Sequence, residues 1–482
     1  MDAYLIFDLK LAYRLIKENN FLHSKKKLLI TDKIVIFNLL KSNNLKNIIC
    51  LDNEVSDLKR KEIFLKEYSF FDKKLKTFGN KNYFFFKKIK INSIYNTFKF
   101  DVPRYYAGVK ILVFALNKII KKKRITKMTY FGDLSNNTFS NSFYAQIFSF
   151  FCKKKKIEFD LRKNTKIENN IFYNQFIKIY YFLSLVREIT FSKIIYKIKK
   201  KFSKVFFKKS SKNVLFISPQ ADLKYVNTNN INIFNYNIDE SSNYEKYKDI
   251  ENKLKKNIAS NIDEIFLNYI KEKNIVLKPY FIQTIQDILN ILKRKNIKEI
   301  FWGISPTLLI RNALVYLKKK TLISGLQHGG KYFIMQDDMC HKDSDYSFCD
   351  KFYAYGLTSS FNKKKFSKDT KIINSGCFKN TFYNNIIIRN KNLNQNTILY
   401  VPVSLSNFTC PVIEARPTTR FILQKKICSK LEKFKDFKTF VKIIPFSYYN
   451  KNLFDKEHIE TNPIYLELNN YKSLKINSKP LI

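Results

Sequence analysis

Apolar and polar positions along the chain follow two rhythms, and their succession predicts an α/β protein. Residues 27–30 form a short apolar run of strand character. Residues 33–43 carry Ile36, Leu39 and Leu40 at helical spacing, and 47–51 form a second strand that stops at Asp52-Asn53. Strand, helix and strand in that order predict a parallel sheet. The rhythm returns after a Lys- and Phe-rich stretch that ends near Phe100. Pro103 opens a helix expected to reach Lys122, strand 127–131 ends at Gly132-Asp133, helix 141–152 follows, and strand 157–161 closes the group. Asp133 at a strand end reads first as a turn-making or helix-starting residue.

From 171 to 209 the pattern is helical and basic. Phe191, Ile195, Ile198, Phe202 and Val205 recur three or four residues apart, with Lys193, Lys197, Lys200 and Lys204 on the other face. A cationic amphipathic helix near 186–209 can lie on an anionic membrane with its phenylalanines among the head groups, or pack on its own sheet with its lysines in water; both readings stand. A joint at 209–213 leads to strand 213–218 and an irregular Asn-rich segment. Helices 250–271 and 279–295, strand 299–302, helix 306–318 and strand 321–326 complete a second βαβ series. Beyond a linker at 384–396, strands 397–404 and 439–445 flank helix 418–434. The expected organisation is therefore an N-terminal α/β region (1–210), a second α/β region (211–380), and the start of a C-terminal domain (397–482). That last part has too few strands to stand alone and is expected to be truncated.

Composition narrows the class. With 482 residues, 45% of them hydrophobic, and with 46 Phe and 30 Tyr, the chain has material for two or three cores. Its net charge of +49 attracts nucleic acid, anionic lipid or phosphorylated substrates. The excess is mostly Lys, accompanied by abundant Asn, Ile, Phe and Tyr and only nine Gly, which is what an AT-rich genome produces whatever the function. No zinc finger, aromatic RNA-binding pattern or helix-turn-helix signature accompanies it, so no specific nucleic-acid partner is expected. The seven cysteines are scattered without a CxxC pair, the pattern of a reducing compartment. No secretory leader pattern opens the chain, and the apolar stretch 105–120 is interrupted by Lys110 and Asn117, short of the roughly 20 residues a membrane span needs. A cytoplasmic location is expected, with the basic helix as a means of touching the inner face of the membrane.

The chemistry concentrates where strand 321–326 breaks into Gln327-His328-Gly329-Gly330, followed by Tyr332, an acidic island and a second apolar run ending at Gly356. Paired glycines let the backbone turn and let a ligand approach. In open α/β sheets the carboxyl ends of strands face the ligand crevice, so a histidine delivered there is placed for chemistry. A lone histidine beside Gly-Gly is also common as a structural residue. Asp337, Asp338, Cys340, His341, Asp343 and Asp345 are possible metal ligands, and Asp343-Ser344-Asp345 spells DxD. The spacing fits no EF-hand, and no metal is expected. Walker, GxGxxG, HExxH and GxSxG motifs do not occur.

The segment 321–356 resembles the bacterial transferases of surface-carbohydrate biosynthesis, in Gln327, His328, Gly329, Gly330, Tyr332, Asp343, Asp345, Asp350, Phe352, Tyr355 and Gly356. It departs from them at Lys331 and Phe333, where glycines are usual, in Asp for Glu, and in Tyr355-Gly356-Leu357 for Trp-Gly-Trp. The resemblance implies a GT-B-like pair of Rossmann-like domains, with the C-terminal, donor-binding domain incomplete here. The activity implied is transfer of a sugar from a nucleotide-activated donor to a glycan or lipid-linked acceptor, with no cofactor. Glycerophosphate transfer is the alternative on the same fold. Residue by residue, it makes His328 the general base, Gln327 the group that orients acceptor or imidazole, Gly329 and Gly330 the point of close approach, and Tyr332 a wall. Asp350 is expected to fix the loop or the histidine tautomer, or to cap a helix. A non-enzymatic basic protein binding nucleic acid or membrane, and an inactive remnant, are the other classes.

Overall fold

The first strand of the computed structural model, β1 (Asp2–Leu5), is an apolar run buried to the last atom at Ala3 and Leu5, and it takes the centre of a sheet. The structure describes residues 1–17, 27–132, 139–162, 212–217, 231–235, 259–302, 308–327, 346–354, 369–375, 396–402, 417–441, 471 and 473–476. Asp8 follows β1 and accepts the Leu11 amide at 3.0 Å, opening α1 (Leu9–Lys17). β2 (Lys27–Thr31), α2 (Ile34–Ser42) and β3 (Ile48–Cys50) then appear where the sequence pattern set them.

The Lys- and Phe-rich stretch that carried no predicted element is mostly helix. α3 (Asp57–Lys81) is capped by Ser56, whose hydroxyl accepts the Lys59 amide, and it buries Arg60, Phe64, Tyr68, Phe71, Leu75 and Gly79 at steps of three and four. Lysines on its remaining faces obscured that stripe in the sequence. A hairpin of β4 (Phe84–Phe86) and β5 (Ile89–Ile91) follows, then α4 (Ser93–Phe98), α5 (Val102–Lys123) with Pro103 in its first turn, β6 (Lys127–Tyr130), α6 (Asn141–Lys155) and β7 (Glu158–Leu161). The five-stranded sheet runs β3-β2-β1-β6-β7, every pairing parallel. This is the doubly wound order with its reversal between β1 and β6. One face packs Tyr4, Ile6, Leu11, Leu15, Leu29 and Leu40 together, while Phe7, Tyr130 and Phe148 stack on the other.

A second all-parallel sheet is built from β8 (Lys212–Ile217), β9 (Ile231–Asn235), β10 (Glu299–Trp302), β11 (Leu322–Leu326), β12 (Lys351–Ala354) and β13 (Lys371–Asn374), in the order β13-β12-β11-β10-β8-β9. Preceding β10 is α7 (Ile262–Arg294), and α8 (Leu308–Leu317) crosses from β10 to β11. Pro279 predicted a break between two helices, but α7 runs through it. The buried series Phe266, Ile270, Leu277, Phe281, Ile285 and Ile288 continues on both sides of the proline. At about 1.5–3 kcal/mol for each large apolar side chain, that stripe outweighs the roughly 3 kcal/mol a helical proline costs. The carbonyl deprived of its donor belongs to Ile275, which is exposed and can be hydrated.

The chain groups into two units, Met1–Lys163 with Glu240–Pro279 and Asn384–Ile482, and Asn164–Asp239 with Tyr280–Tyr383. Both are α/β. The grouping differs from the expected division at about 210, and it also differs at the C-terminus. Strands β14 (Thr397–Tyr400), β15 (Lys438–Val441) and β16 (Lys475–Ile476) form a small parallel sheet beside α9 (Pro417–Leu431). Phe421, Cys428, Val441 and Leu474 share one cluster with Ile34 of α2. The described part of 397–482 therefore packs into the first unit's core. The basic helix expected near 186–209 lies outside the described residues. Among the described residues, no helix is long and apolar enough to cross a membrane.

α7 is tied into the first unit by Phe266, which meets Phe71, Tyr106, Phe139 and Phe143, and by Asp263. The Asp263 carboxylate accepts Tyr106 Oη and Lys74 Nζ, each at 2.6 Å, with Lys110 Nζ at 3.7 Å. Burial alone would raise its pKa; the hydrogen bonds from Lys74 and Tyr106 and the charge of Lys110 outweigh burial and hold it below the ordinary carboxylate value. A depressed folded pKa contributes stability that is complete above the unfolded value of about 3.9 and is lost as pH falls through the folded one. Unfolding midpoints measured across the acid range are expected to show this loss in the native chain. Asp263→Asn should be less stable near neutrality and flatter in acid; parallel curves would exclude the linkage.

Candidate functional site

The site is built around the carboxyl end of β11. Strand β11 is central in its sheet, and its sequence Leu-Ile-Ser-Gly-Leu is apolar enough to be covered on both faces. Register aligns Gly325 with Trp302 of β10, Trp302 with Ile217 of β8, and Leu326 with Tyr353 of β12. The reversal of strand order falls between β8 and β10, so β11 lies one strand from the place where ligands of such sheets bind.

Gln327 is the first residue past the strand. Its amide donates to the Tyr353 carbonyl at 2.9 Å, and the residue is 3% exposed. The ladder is thus extended by one residue past β11, up to the residue before His328. His328, Gly329, Gly330 and Tyr332 lie outside the described residues, as do Tyr355, Gly356 and the acidic island from Asp337 to Asp345. Among the described residues, no group of three or more His, Cys, Asp or Glu side chains could hold a metal.

Asp350 has a definite role, at the other end of the strand. Its Oδ2 accepts the Ile323 amide at 2.9 Å, its own amide donates to the Ile323 carbonyl at 2.8 Å, and its carbonyl accepts the Lys371 amide at 2.8 Å. It joins the starts of β11, β12 and β13. Ile323 precedes Gln327 by four residues, about 13 Å along a strand. These bonds make Asp350 a staple between neighbouring strands. The preceding loop is held with it, since the Cys349 carbonyl accepts Lys318 Nζ at 2.7 Å and Thr370 Oγ1 at 3.0 Å.

Gly325 explains why the strand carries a glycine two residues before Gln327. A Cβ there would stand 2.5 Å from Cys349 Sγ and 2.8 Å from Phe352 Cδ2, both fully buried, and Trp302 Nε1 donates to the same sulfur at 2.9 Å. Gly325→Ala is expected to cost about 1–3 kcal/mol by overpacking, read from urea midpoints, and Cys349→Gly in the same chain should recover part of it. An unchanged midpoint in the single variant would show the contact to be soft. Beneath this cluster, Glu299 of β10 accepts Ser324 Oγ at 2.7 Å and pairs with Lys212 of β8, a buried carboxylate held by three adjacent strands.

The carboxyl edge of the first sheet was not singled out in the sequence. Asp8, Asp32 and Asp52 follow β1, β2 and β3 in turn. Asp8 is committed to the start of α1 and Asp52 to a buried ion pair with Arg60, with Oδ1 2.7 Å from Nη1. The usual phosphate position at the first helix is therefore filled by a carboxylate. Among the described cysteines of this unit none is an alternative nucleophile: burial pushes Cys50 and Cys152 up to about 12 and Cys428 up to about 11, leaving them thiols at neutral pH.

No protein-family model matches the chain, and no curated protein is matched by it. The reading of the site rests on its residues and on the sheet that carries them.

Proposed function

We propose that the protein is a transferase of bacterial surface-polysaccharide biosynthesis, moving a sugar from a nucleotide-activated donor to a glycan or lipid-linked acceptor. The observation that carries this reading is the position of Gln327, joined directly to His328, at the carboxyl end of a central parallel strand that lies one strand from a topological switch point. His328 acts as general base on the acceptor hydroxyl, a task suited to an imidazole with a pKa of about 6.5. Gln327 orients the acceptor or the imidazole, Gly329 and Gly330 leave room for the sugar, and Tyr332 bounds the site. Two α/β units with doubly wound parallel sheets support a GT-B-like arrangement. The activity needs no metal or organic cofactor, and a nucleotide-sugar donor places it in the cytoplasm.

The test is acceptor-dependent nucleotide release by the purified chain, run with a panel of UDP-, GDP-, ADP- and CMP-sugars and, separately, CDP-glycerol. Lipid-linked glycans serve as acceptor. Release with one nucleotide sugar is expected. Release from CDP-glycerol alone would move the assignment to glycerophosphate transfer, and no release from any donor would remove the enzyme reading.

A further inference from the structure

We infer that the β4–β5 hairpin of the first unit is a docking element for an anionic phospholipid surface, independent of the transferase reading. Phe84, Phe86 and Ile91 turn into the core, while Phe85 and Tyr83 face water at 61% and 41% exposure. Phe85 pairs across the strands with Lys90, and Lys87 and Lys88 form the exposed tip. Lys278 of α7 reaches over the Phe84 ring at 5.8 Å, so the middle of α7 borders the hairpin and adds Ile275, 54% exposed, one turn earlier. Apolar side chains with lysines beside them are the composition that sinks rings among lipid head groups and leaves ammonium groups at the phosphates.

Two observations separate this patch from the basic background of the chain. Between Asp72 and Asp101 the sequence holds eight lysines and no acidic residue. At the chain-wide ratio of 89 basic to 40 acidic residues, about three or four acids would accompany them. The turn itself is also unusual. Lys87 and Lys88 have φ of 43° and 67°, the left-handed region a hairpin of this type requires and a residue with a Cβ adopts at a cost. Asn-Gly would satisfy the backbone better; the two lysines keep two positive charges at the tip instead.

A lipid surface fits better than a nucleic acid strand. Stacking of bases needs an open aromatic face. Lys90 Nζ sits 3.9 Å from the Tyr83 ring centroid, and Phe85 meets that ring edge-on at 5.1 Å and 86°. Phe85 is left as a wedge flanked by charge.

The experiment is sedimentation of the full chain with vesicles of phosphatidylcholine alone, or mixed equally with phosphatidylglycerol, beside a fluorescence measurement on Phe85→Trp. The native chain should bind the anionic vesicles, and the new indole should shift to the blue on their addition. Lys87→Asn with Lys88→Gly relaxes the turn while removing the charge, so its unfolding midpoint should hold or rise while vesicle affinity falls about ten- to thirty-fold. Phe85→Ser should weaken binding several-fold without loss of stability. Binding by the double variant equal to the native chain, an unshifted indole, or affinity for single-stranded RNA that the variants lose in place of vesicle affinity would each overturn the assignment.

Discussion

Arg60→Ala is expected to destabilise the first unit by about 3–5 kcal/mol, the range for removing one partner of a buried ion pair. Asp52 is fully buried and Arg60 is 3% exposed, with Oδ1 and Nη1 2.7 Å apart. The other carboxylate oxygen accepts the Thr418 amide at 2.9 Å, in the first turn of α9, where a negative charge also meets the positive end of the helix dipole. Without the guanidinium, a carboxylate stays in a site closed to water with that partner lost. One residue thus holds α3, the turn after β3 and α9 together. Against a total stability of about 5–15 kcal/mol for a typical domain, the loss should appear as a large fall in urea midpoint. Asp52→Asn with Arg60→Met should be milder than Arg60→Ala, because no unpaired charge remains. A single-variant loss below about 1 kcal/mol, the level of an exposed pair, would contradict the burial argument.

His328→Ala is the variant expected to affect activity most. A positioned general base contributes about 10²- to 10⁴-fold, so turnover with the preferred donor should fall by that factor while the urea midpoint stays put. The acid limb of the pH–rate profile, expected near 6.5 for an imidazole base, should vanish from the residual rate. Gln327→Ala should cost less in turnover and more in acceptor KM, because the side chain binds and does not exchange protons. Its amide bond to Tyr353 is a backbone contact and survives the substitution. Full turnover in a folded His328→Ala chain would remove the histidine from the reaction.

The α/β class and most strands were legible in the amino-acid pattern alone. Parallel strands covered on both faces read as nearly continuous apolar runs, and Leu28–Ile30, Met128–Tyr130 and Leu322–Leu326 do so with only Thr129 and Ser324 as polar members. That pattern also pointed to the carboxyl end of β11 as a candidate site, because Gln-His-Gly-Gly breaks an apolar run in a manner that needs no tertiary information. It missed α3, whose apolar stripe is one residue in four and is diluted by lysines, and β1, a short run at the start of the chain with no earlier element to frame it. The bond from Asp350 to Ile323 was not legible, because sequence distance says nothing of the direction of a strand, and β12 brings that carboxylate to the start of β11. That the described part of 397–482 builds on the first unit came from long-range packing, since the hydrogen bond joining Asp52 to Thr418 spans 366 residues. Strand order, and with it the switch point between β8 and β10, was also set there: local propensity fixes what a segment is, and long-range packing selects which segment lies beside it.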